Sequence, residues 1–145
     1  MAQPTAQSLL QSQWSLKRTI ADELSELPTS MLGQAYFTPT PKSNVYKYFE
    51  KGILTVGTYK GPFDKTYIVK LVDTYTLDFY FDDQKFFHTL NLREPGVPVT
   101  HQCNEDTYQA TYTFNLPNQW AVTWVIKGPN KNLKIKTTYV PFFTS

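Results

Sequence analysis

Thr74–Leu92 reads TYTLDFYFDDQKFFHTLNL, two strand-like halves joined at Asp82-Asp83-Gln84. Before the turn, Tyr75, Leu77, Phe79 and Phe81 recur at every second position. Successive side chains on a strand point to opposite faces, so these four share one apolar face. Aspartates that cap their own backbone suit a tight reversal, and Lys85–Leu92 then returns along the same sheet. The stretch predicts a β-hairpin with one side turned to a core.

The same signal recurs in both directions. Trp14, Leu16, Arg18 and Ile20 alternate in the first strand. Strands are predicted over 31–38, 44–51, 53–59 and 66–72, with Gly52 and Gly61-Pro62 read as breaks. Trp120, Val122, Trp124 and Ile126 alternate in a later strand, and Gly128-Pro129-Asn130 turns the chain into Leu133–Tyr139. Pro4–Gln13 has room for one or two helical turns, and Ala21–Leu27 is the only other helix-like piece. Sequential strands with short turns and no crossover helix predict an all-β fold, an antiparallel up-and-down β-barrel with a short N-terminal helix. A two-sheet sandwich is the structural alternative.

Composition agrees. Aromatic residues make up 16% of the 145 residues, and Tyr and Phe favour half-buried pleated surfaces. The length suits one domain over 1–145. A single cysteine excludes an internal disulfide and fits a reducing, cytoplasmic setting. No apolar run approaches a membrane span of about 18 residues. A net charge of +2 does not call for nucleic acid. Lys127, Lys131, Lys134 and Lys136 around the last hairpin suit an anionic polymer or, more simply, a solvated sheet face.

His101-Gln-Cys-Asn-Glu-Asp-Thr-Tyr108 carries the reactive side chains. Asp106, Tyr108, Tyr112 and Phe114 share the apolar parity, whereas His101 and Cys103 have the opposite one. Joining them on one face requires an extra residue near Asn104-Glu105, so a β-bulge is expected there. With His101 or His88 as base, Cys103 and Asp106 would form a nucleophilic triad for a hydrolase or isomerase. A glycine-rich oxyanion turn is missing, so no catalytic residue is assigned. A metal site has the donor atoms of His88, His101 and Cys103 but no recognised spacing, and no cofactor or metal is expected.

The plainest reading has Asp106, His101 and Tyr108 satisfying one another and nearby backbone groups at a strand end; among functional sites, a ligand pocket suits the composition better. Trp14, Phe79, Tyr112 and Trp124 would supply walls, and Arg18, His88, His101, Asp106 and Tyr108 the polar groups. Arg18 shares the inward parity of Trp14 and Leu16, so it needs an acid or an anionic ligand. Asp106 is the expected partner.

Several motifs occur in one order: Trp14-x-x-x-Arg18, Gly33-x-Ala35-x-Phe37, Phe87-His88-x-Leu90, His101-x-Cys103-x-x-Asp106-x-Tyr108, Gly128-Pro129-x-Lys131 and Tyr139. This series resembles the domain-of-unknown-function (DUF) family 6314, small lipocalin-like proteins. It departs from the pattern in having no glycine just before Trp14, and Val140-Pro141 where a basic residue is expected. The resemblance implies a barrel with an internal pocket and no established activity. Together these readings point to a soluble barrel that binds a small amphipathic or anionic ligand. The alternative is an interaction subunit with a protein partner and a barrel filled by side chains.

Overall fold

A computed structural model describes residues 4–142 except 26 and 95. After helix α1 (Ala6–Leu10) come ten strands. These are β1 (Trp14–Asp22), β2 (Thr29–Pro39), β3 (Val45–Val56), β4 (Tyr59–Asp73) and β5 (Thr76–Phe81), followed by β6 (Phe86–Asn91), β7 (Val99–Cys103), β8 (Asp106–Asn115), β9 (Gln119–Gly128) and β10 (Lys131–Pro141). They form one antiparallel sheet in the order β6-β5-β4-β3-β2-β1-β10-β9-β8-β7. Every ladder joins sequence neighbours except the one between β1 and β10, where Arg18 lies opposite Thr137. The result is an up-and-down barrel that is nearly closed.

The two ends of the sheet, β6 and β7, share no backbone ladder. Rings bridge them instead. Phe87 lies 5.2 Å from His101 between ring centroids, and His88 Nε2 bonds the Tyr112 hydroxyl of β8 at 2.8 Å.

Helix α1 plugs one end. Thr5 caps it by accepting from the Ser8 amide, and its first amide (Ala6) donates to the Thr74 carbonyl in the β4–β5 turn at 2.9 Å. Leu9 is fully buried, and its carbonyl accepts the Trp14 indole N–H at 3.1 Å. Trp14, Leu77, Leu90, Leu92 and Val69 complete a buried floor. The opposite end carries the β1–β2, β3–β4, β5–β6, β7–β8 and β9–β10 turns and forms the mouth.

Three local expectations are corrected. Gly52 does not end a strand, because it pairs with Gly33 inside the continuous β2–β3 ladder. A Cβ at either position would overlap backbone of the other strand, so the glycines permit a close bend, not a turn. The chain reverses at Gly57, which has φ +58°. Gly61-Pro62 is likewise inside β4, on a part that pairs with β3 alone, since β5 joins only from Tyr67. Proline is tolerated where one side of the strand has no ladder. The Ala21–Leu27 segment is not helical where described. Ala21 and Asp22 extend β1, Glu23-Leu24 turn, and Glu26 lies outside the described residues.

Gly33→Ala should lower stability by about 1–3 kcal/mol, since the added methyl meets backbone that cannot rotate away. Urea unfolding measures this, and an unchanged midpoint would show that the two strands separate freely at the bend.

Candidate functional site

The inward faces of the strands enclose a cavity of about 290 Å³. Its walls are aromatic pairs: Phe79 on His88 (4.8 Å, 5° between planes), Phe87 on Trp124 (5.1 Å, 13°) and Trp120 on Tyr139 (3.7 Å, 5°). Exposed Asp64 and Lys65 of β4 contribute to the wall, so the cavity reaches solvent beside them.

A buried polar network crosses one side. Arg18 donates from Nη1 and Nη2 to the two oxygens of Glu50 at 2.6 and 3.0 Å, and from Nε to Thr137 Oγ1 at 2.7 Å. The Glu50 side chain is 2% exposed and that of Arg18 13%. Tyr48 also donates to Glu50, and its oxygen lies 3.0 Å from the Tyr139 hydroxyl. Burial opposes the arginine's charge, but the bond to Glu50 and the surrounding oxygens outweigh it, and the pKa of Arg18 is raised. Burial first, then neighbouring Tyr139 and Glu50, raise Tyr48 well above the ordinary phenol value.

Arg18 therefore has an acid partner, but it is Glu50 and not the expected Asp106. On β2, Arg18 lies opposite Met31 and Glu50 opposite Ala35, and Gly33 between those two positions has no side chain, so the two long side chains meet across the strand. Asp106 lies at the mouth, where Lys131 approaches it at 3.4 Å and also donates to Tyr108 Oη at 3.3 Å. Gly128 completes this corner, because any Cβ there would overlap the Asp106 carboxylate. The two motif clusters on β7–β8 and β9–β10 are thus one structural unit.

The expected bulge is absent. Asn104-Glu105 form a two-residue turn with Asn104 at φ +54°, and β7 and β8 are separate strands. Residues opposite one another across a hairpin share a face. Cys103 therefore pairs with Asp106, and His101 with Tyr108. The shared face arises from the turn, which asparagine supports by tolerating the left-handed conformation. No triad results. Cys103 is exposed, Asp106 is engaged by Lys131, and His101 packs against Phe81, Phe87 and Tyr108.

Of the nine residues expected in a pocket, Arg18, Phe79, His88, Tyr112 and Trp124 line the cavity. Trp14 lies in the floor, and His101, Asp106 and Tyr108 sit at the mouth and seam. Glu50, Tyr48, Tyr139 and Trp120 were missed. Parity could have found Glu50, which follows Tyr46 and Tyr48 on the same face.

Among the described residues, two that line the cavity carry a buried nitrogen without a hydrogen-bond partner, His88 Nδ1 and Trp120 Nε1. His88 and Tyr112 also line a groove of about 460 Å³ along the β6–β7 seam, and so stand between groove and cavity. Burial, then the charge of His101, lowers the His88 pKa from 6.5 to about 3. The imidazole is therefore neutral in the folded protein at neutral pH. Among the described residues no group of three or more His, Cys, Asp and Glu side chains is placed to hold a metal ion.

Because the folded state resists protonating His88 and the unfolded chain does not, stability rises with pH between about 3 and 6.5. This group alone accounts for roughly 3–5 kcal/mol across that window. His88→Phe should flatten the slope in urea titrations at graded pH, and an unchanged slope would assign it to other groups.

The ion pair should behave as a unit. Arg18→Met alone is expected to cost about 3–5 kcal/mol by stranding Glu50, and Arg18→Met with Glu50→Leu should recover most of it. A double variant no better than the single one would show that the charges are not coupled.

Comparison with known proteins places the fold. The S-type phycobiliprotein lyase CPES from Guillardia theta superposes with a TM-score of 0.59 at 6% identity, covering 98% of this chain and 95% of the lyase. The structure of EF1p2_mFAP2b bound to DFHBI superposes with a TM-score of 0.51 at 14% identity, covering 97% and 100%. No curated protein matches the sequence. The family model of unknown function DUF6314 matches residues 10–141, nearly the whole barrel, and the chain belongs to that family.

Proposed function

We propose that the barrel is a binding protein for one small amphipathic molecule held in the interior cavity. The observation that supports this most directly is the cavity itself, about 290 Å³ and walled by stacked aromatic rings beside the buried Arg18–Glu50 pair. The cavity, about 290 Å³, lies at the small end of the roughly 300–1,000 Å³ range of small-molecule pockets. Stacked rings around it offer flat apolar surfaces to a ligand of similar shape. The EF1p2_mFAP2b structure, of the same fold, holds the small molecule DFHBI, which accords with an interior site.

The neutral dye N-phenyl-1-naphthylamine tests the reading. Its emission should strengthen and shift to the blue on titration, saturating at one dye per chain. Val122→Trp, which fills the cavity from β9, should abolish the response while circular dichroism stays β-rich. A folded wild-type protein that leaves the dye unchanged, or a variant that responds equally, counts against interior binding.

A further inference from the structure

We infer that the interior ligand is a flat amphipathic acid with a single negative charge, its rings in the cavity and its acid group held at the opening by Lys65. This rests on interior binding as proposed above and follows from the charge that the inward faces of the strands carry.

Strand β4 alternates Phe63, Lys65, Tyr67, Val69 and Leu71 on one face. Val69 is fully buried, and Phe63, Lys65 and Tyr67 line the cavity, so this face is the inward one. Lys65 is the one charge in that apolar row. The register agrees, because Lys65 lies opposite buried Glu50 of β3, and residues opposite one another across a ladder share a face. A lysine that only keeps a sheet soluble belongs on the outward face, where exposed Lys51 stands.

Lys65 also stands at the opening. Residues 59–66 of β4 pair with β3 alone, since β5 joins only at Tyr67, opposite Phe81. This part of the β3–β4 hairpin therefore rises past the end of β5 beside the cavity. The Lys65 ammonium lies over the ring of half-buried Tyr67, 5.2 Å from its centroid. Burial raises the Tyr67 pKa and the Lys65 charge acts against it, so at neutral pH a protonated hydroxyl accompanies the ammonium.

Two cations and one acid face inward. Glu50, directly across from Lys65, gives both its oxygens to Arg18 and also accepts from Tyr48, so it is already occupied. Among the described residues Lys65 forms no ion pair. Asp64 also borders the cavity, but it has the outward parity and lies opposite Lys51. His88 is held neutral by burial. The inward faces thus carry one positive charge in excess, which a singly charged anion balances.

The place of Lys65 sets how such a ligand lies. A carboxylate taken wholly into the barrel would lose its hydration. Held at Lys65 it stays at the edge of the water, while the rings enter the aromatic walls. Lysine suits this position, because its stem can follow an apolar wall while the ammonium remains hydrated.

Anthracene-2-carboxylate and its neutral counterpart anthracene-2-carboxamide share one flat outline and differ in charge. In equilibrium dialysis against the full chain, the carboxylate is expected to bind roughly five- to tenfold more tightly. Added salt should remove most of that advantage by screening and leave the amide unaffected. Lys65 is exposed, so its replacement leaves the core intact. Lys65→Met should bring the carboxylate down to the level of the amide, and Lys65→Arg should keep most of the preference. Lys51→Met, which removes the same charge from the outer face, should keep all of it. Val122→Trp should abolish the binding of both compounds. An amide that binds as well as the carboxylate, or a preference that survives Lys65→Met, overturns the inference while interior binding stands. A carboxylate that still binds Val122→Trp is held on the surface and overturns it as well. If neither compound binds, the inference falls, and interior binding falls with it when the naphthylamine dye is also silent.

Discussion

The Arg18–Glu50 pair is the constraint around which the interior is arranged. Glu50 is 1% exposed, and a carboxylate that deep in a barrel is tolerable only with its oxygens saturated. Saturation takes both guanidinium nitrogens and the Tyr48 hydroxyl. Tyr139 then fixes Tyr48, and Trp120 stacks on Tyr139 at 3.7 Å. One ion pair thereby positions residues from β1, β3, β9 and β10, and the cavity between them acquires walls of set orientation. Replacing the pair by apolar residues need not destabilise the barrel, so its value lies more in specificity of arrangement than in net energy.

Much of the fold was legible because alternation is a strong signal when one face of every strand is apolar. Trp14/Leu16/Arg18 and Trp120/Val122/Trp124 place their strands directly. What misled was glycine. Gly52 and Gly61 carry the same composition signal as a turn, and only the register shows that Gly33 faces Gly52 across a bend. The site was half legible for a related reason. Parity tells which side chains point inward but not which strands are adjacent. Arg18 was therefore readable as an inward charge in need of an acid, while the acid was not identifiable. Asp106 and Glu50 are equivalent in that respect until the fold separates β3 from β1 by the single strand β2 and sets Asp106 beside the β7–β8 turn. In HQCNEDTY the error was to read one strand with an irregularity where Asn104-Glu105 make a complete reversal.

The seam shows how the barrel manages its two loose ends. Backbone ladders hold every strand pair except β6 and β7, which are consecutive in sequence and yet lie at opposite ends of the sheet. Phe81, Phe87 and His101 close the mouth half by ring contacts, and the His88–Tyr112 bond closes the other half. Side-chain closure protects the edges from pairing with other chains. It also makes this wall the weakest, since local opening there breaks few backbone bonds. A groove of about 460 Å³ beside the cavity wall runs along the same line, and His88 belongs to both.

The residues at positions 88 and 120 bear on what the interior is for. A phenylalanine at either place would keep the ring stacking, with Phe79 at 88 and with Tyr139 at 120, and would strand no nitrogen. A barrel shaped by stability alone would gain from both changes, by about 1–3 kcal/mol for each nitrogen no longer buried without a partner. The sequence instead carries a histidine held neutral by burial and an indole, each with a buried nitrogen that has no partner among the described residues. That distribution is costly for a core packed only with its own side chains.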